Sequence, residues 1–232
     1  MIGVLGGMGP LATADFFAKV IAATPATGDA GHVPLLILSD PRIPPRPPAI
    51  LGNGESPLPA LRAARDRLLE AGATALVMPC NTAHFWFDAL HADCPVPFLS
   101  IVDAACDEVG RIAAPGQTVA VIATRATLAS KLFDARLAAL GYQAVLPTDA
   151  MLDERILPAI DAVKAGEVHA GGRMLQDVVQ AFLDDGAAAV LLACTEVPLA
   201  LDAIDSPLRA RCVDSTAALA RACVAYWQRQ QH

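Results

Sequence analysis

Two of the six cysteines in this chain, Cys80 and Cys194, stand where an apolar run gives way to polar residues. Asn-Thr follows the first and Thr-Glu follows the second, so each thiol is expected at the carboxyl edge of a sheet. Backbone N–H groups and a helix N-terminus stabilise a thiolate there, and we expect a thiol pKa below the ordinary value of about 8.5. A thiol and a thiolate facing each other can take a proton from one face of a carbon and return one to the other face. Such a pair is suited to inverting a stereocentre.

The two cysteines end the same stretch written twice. Residues 69–82 read LEAGATALVMPCNT and residues 183–196 read LDDGAAAVLLACTE, with matching positions 114 residues apart. A second pair of segments, IGVLGGMGPLATADFF at 2–17 and VAVIATRATLASKLF at 119–133, aligns at a separation of 117 residues. A duplicated strand, loop and helix indicates one active site built from two related halves.

The elements that must position these thiols alternate along the chain. The strand patterns lie at 2–5, 35–39, 75–78, 98–101, 119–123 and 190–193, and the clearest helical patterns lie at 58–71 and 173–185. Strands that alternate with helices form a parallel sheet, which binds ligands at the carboxyl ends of its strands. We therefore predict an α/β fold of two pseudo-symmetric, three-layer domains with parallel sheets and an active site in the cleft between them.

The repeats also predict the domain boundaries. The first domain is expected to comprise residues 1–97 and 208–232, and the second residues 98–207. In this scheme the tail, with a strand at 211–213 and a helix at 216–227, returns to complete the first domain.

Composition narrows the class of partner. Of the 232 residues 54% are hydrophobic and 18% charged, and the net charge of −7 leaves no basic face for nucleic acid. A local pair of cations still allows a small acidic substrate. The chain opens directly on a strand pattern, and no apolar run approaches the roughly 18–20 residues of a membrane helix. We expect a cytoplasmic protein with reduced cysteines and no membrane partner.

Other reactive side chains fit structural roles better. The cysteines without a matched repeat position are interpreted as small buried hydrophobic residues: Cys94, Cys106, Cys212 and Cys223. His84 lies four residues after Cys80, but no acyl-transfer motif accompanies the pair, so a structural or capping role is expected. Cys80, His84 and Cys94 lack a known zinc-ligand spacing, and no metal is expected.

Residues 6–10, Gly-Gly-Met-Gly-Pro, predict a tight turn between a strand and a helix, with Pro10 at the first helical position. Such a turn can present backbone N–H groups to an anion. It lacks both the Walker lysine and the GxGxxG spacing, so nucleotide binding is not expected. Met8 would instead flank the backbone of a small substrate.

Three motifs together give the chain a specific resemblance. They are GVLGGMGPLATADFF near the start, MPCNTAH at 78–84 and ACTEV at 193–197, supplemented by DPRIPPR and AVKAG. On these motifs the chain resembles the cofactor-independent aspartate and glutamate racemases over nearly its whole length, and most closely the aspartate racemases. The resemblance implies a homodimer, Cys80 and Cys194 as the acid/base pair, and no pyridoxal phosphate or other cofactor.

The resemblance also implies how a substrate is held. The residues expected to bind it, besides Met8, are Asn81, Thr82, Thr124, Thr127, Thr195, Arg46 and Lys164. The Asn and Thr side chains would hold the α-carboxylate and stabilise a carbanion, although such residues also commonly cap helices.

Arg46 and Lys164 are the candidates for a side-chain carboxylate, and Arg42, in the same proline-rich loop as Arg46, is a competing choice. Arg125 departs from the small residues of the family. It either alters the cleft or points to solvent.

We therefore expect a racemase that interconverts L- and D-aspartate by a two-cysteine acid/base mechanism. Within the same superfamily the alternatives are a glutamate or broad-specificity racemase, a hydantoin racemase and a maleate cis-trans isomerase. From another class, the alternative is a catalytically silent amino-acid-binding relative. Arg46 and Lys164 favour a dicarboxylic amino acid over a hydantoin, but one methylene is worth only about 1–3 kcal/mol and does not rank aspartate against glutamate.

Overall fold

The computed structural model describes residues 1–231, which divide into two units, each built around its own parallel sheet. Unit 1 comprises Met1–Ala104 and residues 216–231, and unit 2 comprises Ala105–Ser215. Helices flank both sheets, so the predicted α/β class is confirmed.

The strands are β1 (Ile2–Gly6), β2 (Leu35–Ser39), β3 (Ala75–Val77), β4 (Phe98–Leu99), β5 (Thr118–Ile122), β6 (Gln143–Val145), β7 (Ala189–Leu192) and β8 (Cys212–Asp214). The α-helices are α1 (Pro10–Ala23), α2 (Arg46–Ile50), α3 (Leu58–Glu70), α4 (Phe87–His91), α5 (Ile101–Glu108), α6 (Arg125–Ala129), α7 (Leu132–Ala139), α8 (Asp149–Met151), α9 (Leu157–Lys164), α10 (Val168–Asp184), α11 (Glu196–Ala203) and α12 (Ser215–Arg229). A 3-10 helix, Thr82–Trp86, follows Cys80.

The two sheets have the same topology. Their strand orders are β2-β1-β3-β4 and β6-β5-β7-β8, and every pairing is parallel. Ile2 pairs with Ala75 in the first sheet, and Val119 pairs with Ala189 in the second. Shifting Ile2 by 117 residues and Ala75 by 114 gives that second pair. The separations found in the sequence therefore correspond to equivalent registers in the two sheets.

The tail strand belongs to the second sheet, not to the first as the sequence analysis expected. Strand β8 pairs with β7 through Val190 with Cys212 and Leu191 with Val213. The residues of α12 from 216 onward belong to unit 1. Strand β8 thus pairs with the edge of the second sheet, although the helix that follows it in the chain belongs to unit 1.

Amphipathic helices supply one face of each core. Leu61 and Leu68 of α3 are buried, and so are Leu175, Val178 and Phe182 of α10, as their spacing predicts. Each such side chain contributes roughly 1.5–3 kcal/mol when it leaves water. The cores thereby hold the carboxyl ends of the strands at fixed places.

Two glycines allow α10 to pack closely against its neighbours. A Cβ on Gly171 would lie 2.6 Å from a side chain of α9, and a Cβ on Gly172 would lie 2.4 Å from the carbonyl oxygen of Ala200 in α11. Helix α9 ends at Lys164, and α11 begins two residues after Cys194. The close packing therefore sets the position of two candidate site residues.

Candidate active site

In unit 1 the loops that follow β1, β2 and β3 bring three side chains into one buried apolar cluster. Met8 comes from the glycine-rich turn, Ile43 from the proline-rich loop, and Cys80 from the end of β3. Cys80 is only 5% exposed, and its N–H donates to the carbonyl oxygen of Met78 at 2.8 Å. The thiol therefore lies at the carboxyl edge of the sheet, where the repeat predicts it.

The glycine-rich turn is packed against the start of the proline-rich loop. Gly7 has φ +94°, and a Cβ there would lie 2.4 Å from the backbone nitrogen of Asp40. The N–H of Gly7 donates to Oγ1 of Thr13 at 2.9 Å, and that hydroxyl donates to the carbonyl oxygen of Gly9 at 3.1 Å. One N–H group of the turn is thus bound by a side chain of α1. Met8 is buried at 4% exposure.

His84 holds the backbone beside Cys80. Its Nδ1 lies 2.8 Å from the carbonyl oxygen of Cys80, and its Nε2 accepts the N–H of Ile101 at 3.1 Å. Because Nε2 accepts, Nδ1 carries the hydrogen. Burial lowers the pKa of His84 to about 4, which leaves the ring neutral. Both nitrogens serve backbone groups, as the expected structural role requires.

Asn81 and Thr82 follow Cys80 at the start of the 3-10 helix. Asn81 is buried at 2% exposure, and its carbonyl oxygen accepts the N–H of His84 at 3.1 Å. Thr82 is half-buried. The structure thus places both residues directly after Cys80, at the sheet edge that the sequence indicates.

The two arginines of the proline-rich loop have different partners. Arg42 is 83% exposed and donates from Nε and Nη2 to the two carboxylate oxygens of Asp40, each at 2.9 Å. Arg46 is half-buried and donates from Nη1 to the carbonyl oxygens of Ile43 and Pro44, at 3.1 and 3.0 Å. Its buried Nε has no hydrogen-bond partner among residues 1–231. The guanidinium group of Arg46 is therefore held in place through Nη1, while its Nε remains available to bind an acceptor.

In unit 2, Cys194 lies beside a carboxylate. Its Sγ donates to Oε2 of Glu196 at 3.1 Å, and the hydroxyl of Thr195 donates to the same oxygen at 3.1 Å. Burial first, and the charge of Glu196 second, raise the pKa of Cys194 well above the ordinary value. The expectation of a lowered pKa was wrong for this thiol, because lost solvation and a neighbouring anion outweigh the helix N-terminus.

Lys164, at the end of α9, acts on Cys194 in the opposite direction. Its ammonium group lowers the pKa of that thiol, although by less than burial and Glu196 raise it. Lys164 is exposed. The structure thus places a cation within electrostatic range of Cys194.

Thr124 and Thr127 follow β5 at the same edge of the second sheet. Oγ1 of Thr124 accepts the N–H of Thr127 at 3.3 Å, which caps α6, and the two hydroxyl oxygens are 3.0 Å apart. Arg125, between them, pairs with Asp149 at 3.0 Å and with Asp153 at 2.5 Å. Thr124 therefore caps α6, as such residues commonly do. The guanidinium group of Arg125 is bound by two carboxylates and not by the hydroxyl groups of Thr124 and Thr127 in these contacts.

The remaining buried thiols are poor nucleophiles. Burial raises the pKa of Cys212 and of Cys223 to about 12, and Cys106 is fully buried.

Among residues 1–231, no three His, Cys, Asp or Glu side chains are grouped to hold a metal ion. Within the same range, no helix has the length and apolar character to cross a membrane.

Glu196 is the site residue that sequence reasoning missed. It lies within the ACTEV motif, two residues after a cysteine, and carries the only charged side chain of that motif. The equivalent residue in the first repeat is Thr82. A carboxylate at only one of two matched positions was the available signal.

Comparisons with known proteins identify the family of the chain. A sequence model described as Asp/Glu/Hydantoin racemase matches residues 5–223. The broad specificity amino-acid racemase RacX of Bacillus subtilis is 28% identical over 230 residues, which cover 97% of this chain and 96% of RacX.

Solved structures show the same likeness. The Picrophilus torridus aspartate racemase superimposes with a TM-score of 0.84 at 28% identity, over 97% of this chain and 93% of that one. The fold is also similar to that of a Francisella tularensis glutamate racemase solved with D-glutamate, with a TM-score of 0.72 at 18% identity over 99% of this chain and 81% of that one. With the family match spanning most of its length, the chain belongs to the Asp/Glu/hydantoin racemase family.

Proposed function

We propose that this protein is a cofactor-independent racemase that interconverts L- and D-aspartate, with Cys80 and Cys194 as its acid and base. One observation carries the proposal. Each thiol lies at the carboxyl edge of an equivalent strand, β3 or β7, in two units with the same strand order. A reaction that exchanges mirror-image faces of a carbon is served by two such matched groups.

The proposed reaction is two proton transfers. The Cys80 thiolate takes the α-proton of one enantiomer, so an S–H bond forms and the electron pair of the C–H bond stays on Cα. The Cys194 thiol then gives its proton to the opposite face and becomes a thiolate. The reverse sequence converts the other enantiomer, and exchange with solvent restores the starting protonation state. The raised pKa of Cys194 supports its role as the thiol of this pair.

The carbanion needs stabilisation by polar groups that are already in place. Hydroxyl and amide groups at the two sheet edges would bind the α-carboxylate and the charge that spreads into it: Asn81, Thr82, Thr124, Thr127 and Thr195. Preorganised donors of this kind are typically worth about 3–4 kcal/mol of transition-state stabilisation each. Burial of the thiols keeps water from competing. Met8, buried in the same cluster as Cys80, would border the substrate backbone.

Arg46 and Lys164 support a dicarboxylic substrate. The buried Nε of Arg46 is a donor that could bind a carboxylate oxygen. Lys164 adds a positive charge near Cys194. Aspartate is favoured because the Picrophilus torridus protein, which is similar over nearly the whole chain, is an aspartate racemase. The similarity to RacX makes a broad-specificity racemase the second candidate.

The test is incubation of the purified protein with L-aspartate in D2O without added cofactor, followed by chiral chromatography and mass spectrometry. D-aspartate carrying deuterium at Cα is the expected product. Cys80→Ala and Cys194→Ala should each lose at least about 10²-fold in rate, the scale of acid/base catalysis. Cys94→Ala, at a half-buried cysteine, is the matched control and should retain activity. Full activity in either of the first two variants would contradict the mechanism, and turnover of other amino acids at comparable rates would favour the second candidate.

We also propose that the protein acts as a homodimer. Phe17 and Ile21 of α1 and Ile37 of the edge strand β2 are each about 40% exposed and line one surface groove. Contiguous exposed apolar surface is typical of protein interfaces, and twofold self-association is the commonest kind. We call these three residues the α1 face.

A further inference from the structure

The duplicated motif is chemically unequal at one position. In the first repeat the residue two places after the cysteine is Thr82, and in the second it is Glu196. The strand order and the register are otherwise equivalent in the two sheets. A carboxylate beside one thiol therefore distinguishes two positions that the fold makes alike.

Glu196 is held in contact with the thiol. It is the first residue of α11, and its Oε2 accepts both Sγ of Cys194 and the hydroxyl of Thr195, each at 3.1 Å. Cys194 and Thr195 are 5% and 4% exposed, so water has little access to these bonds. A carboxylate oxygen can accept from sulfur only while the thiol keeps its proton.

We propose, given the racemase function above, that Glu196 is a positioning residue that keeps the proton on Cys194 and aims the S–H bond. Cys194 is then the thiol of the resting enzyme, and the proposed mechanism assigns the role of base to Cys80. When Cys194 has delivered its proton, the adjacent carboxylate disfavours the new thiolate and promotes its reprotonation. Glu196 thereby decides which of two matched thiols is the acid at rest.

The charged groups around Cys194 are few and act in known directions. Glu196, from its own helix, raises the thiol pKa, and Lys164, from α9, lowers it. Asp214 of the neighbouring strand β8 is paired with Arg209 at 3.0 Å. Removing the Glu196 charge therefore makes ionisation of Cys194 easier, because burial alone then opposes the effect of Lys164.

A purely structural role for Glu196 gives a different expectation. An acidic residue in the first turn of a helix stabilises that helix by about 0.3–1 kcal/mol. Loss of that contribution would lower stability without changing the reactivity of one thiol relative to the other. Thiol reactivity, read separately at each cysteine, therefore separates the two roles.

The experiment measures alkylation of the substrate-free protein by iodoacetamide between pH 6 and pH 10, with peptide mass spectrometry quantifying Cys80 and Cys194 individually. In the wild type, Cys80 should react faster than Cys194. In Glu196→Gln, which keeps a hydrogen-bond acceptor but removes the charge, the Cys194 profile should move down by about one pH unit or more. The Cys80 profile should stay in place. Glu70→Gln is the control and should match the wild type at both cysteines. Glu70 is exposed at the end of α3, before β3 begins, whereas Cys80 follows the other end of that strand.

The racemisation assay provides the second arm. Glu196→Gln should lower kcat about tenfold or more and shift the alkaline limb of the pH–rate profile to lower pH, whereas Glu196→Asp should keep the limb near its original place. A Cys194 alkylation profile in Glu196→Gln that superimposes on the wild type would overturn the proposal, even if kcat falls. If the wild type neither racemises an amino acid nor exchanges its α-proton, the proposed function fails instead, and the alkylation arm, which needs no substrate, still decides the role of Glu196.

Discussion

At the scale of single residues, Arg42 and Arg46 have different capacities for binding although they share one loop. Arg42 is exposed and paired with Asp40, and an ion pair in contact with solvent contributes little to stability. Arg46 keeps a buried Nε without a hydrogen bond to any of residues 1–231. Leaving a buried donor unpaired costs about 1–3 kcal/mol, which a bound carboxylate would recover.

Arg46→Gln should therefore raise the KM for aspartate by roughly 10- to 100-fold, the loss of one charge-assisted contact of about 1.5–3 kcal/mol. Arg42→Gln is the matched control and should change KM by less than about threefold. Steady-state kinetics of both variants makes the comparison. The opposite order of effects would transfer the carboxylate-binding role to Arg42.

His84 should make stability depend on pH. Burial holds its pKa near 4, against 6.5 for the ordinary ring, so the unfolded chain binds a proton that the native protein does not between those values. The stabilisation is present above about pH 6.5 and is lost as pH falls toward 4, by roughly 3 kcal/mol in all. Urea unfolding of the wild type and of His84→Gln at pH 7, 5.5 and 4.5 should show free energies that converge at low pH. Parallel curves would contradict this origin of the pH dependence.

At the scale of elements, periodicity predicted what depends on buried faces. The spacing of Leu175 and Val178 predicted a helix at 173–185, whereas α10 begins earlier, at Val168. The prediction started too late because Gly171 and Gly172 are poor helix formers when they are considered by themselves. Strand β6 was missed because it has only three residues and lies at a sheet edge with little burial. These features depend on neighbours distant in sequence.

The same distinction applies to the site. The repeat predicted that Cys80 and Cys194 would lie at sheet edges, because parallel strands end at one edge. It did not predict the hydrogen bond from Cys194 to Glu196 or the direction of the thiol pKa, because both depend on side-chain orientation and burial. The roles of Arg42 and Arg46 were likewise separated only by their partners in the fold.

Gly172 tests how closely α10 and α11 must approach. Gly172→Ala would place a Cβ 2.4 Å from the carbonyl oxygen of Ala200, so α11 must shift. Overpacking costs about 1–3 kcal/mol, only partly offset by a gain of about 1 kcal/mol in helix propensity. We expect a net loss of up to about 2 kcal/mol in chemical denaturation, together with lower racemase activity because α11 follows Cys194. Gly28→Ala, where the new Cβ meets nothing within 4 Å, should leave both unchanged. A stabilised Gly172→Ala variant would show that the helices can separate at no cost.

At the scale of the whole molecule, the α1 face predicts self-association. Light scattering after size exclusion should give about twice the chain mass of 24.1 kDa. The double variant Phe17→Glu, Ile21→Glu should run as the monomer, because burying two carboxylates in an apolar contact is costly. Val145→Glu, at a similarly exposed apolar residue of β6, should remain dimeric. Dissociation by the control alone would place the interface in unit 2, and a monomeric wild type would exclude the dimer.

The unequal neighbours of the two thiols have a consequence for the direction of turnover. L- and D-aspartate have the same free energy in water, so their equilibrium ratio is one and the Haldane relation makes kcat/KM identical for the two directions. The carboxylate beside Cys194 therefore cannot bias the final mixture. It can only scale kcat and KM together for one enantiomer, so that the enzyme saturates with one hand of its substrate at a lower concentration than with the other.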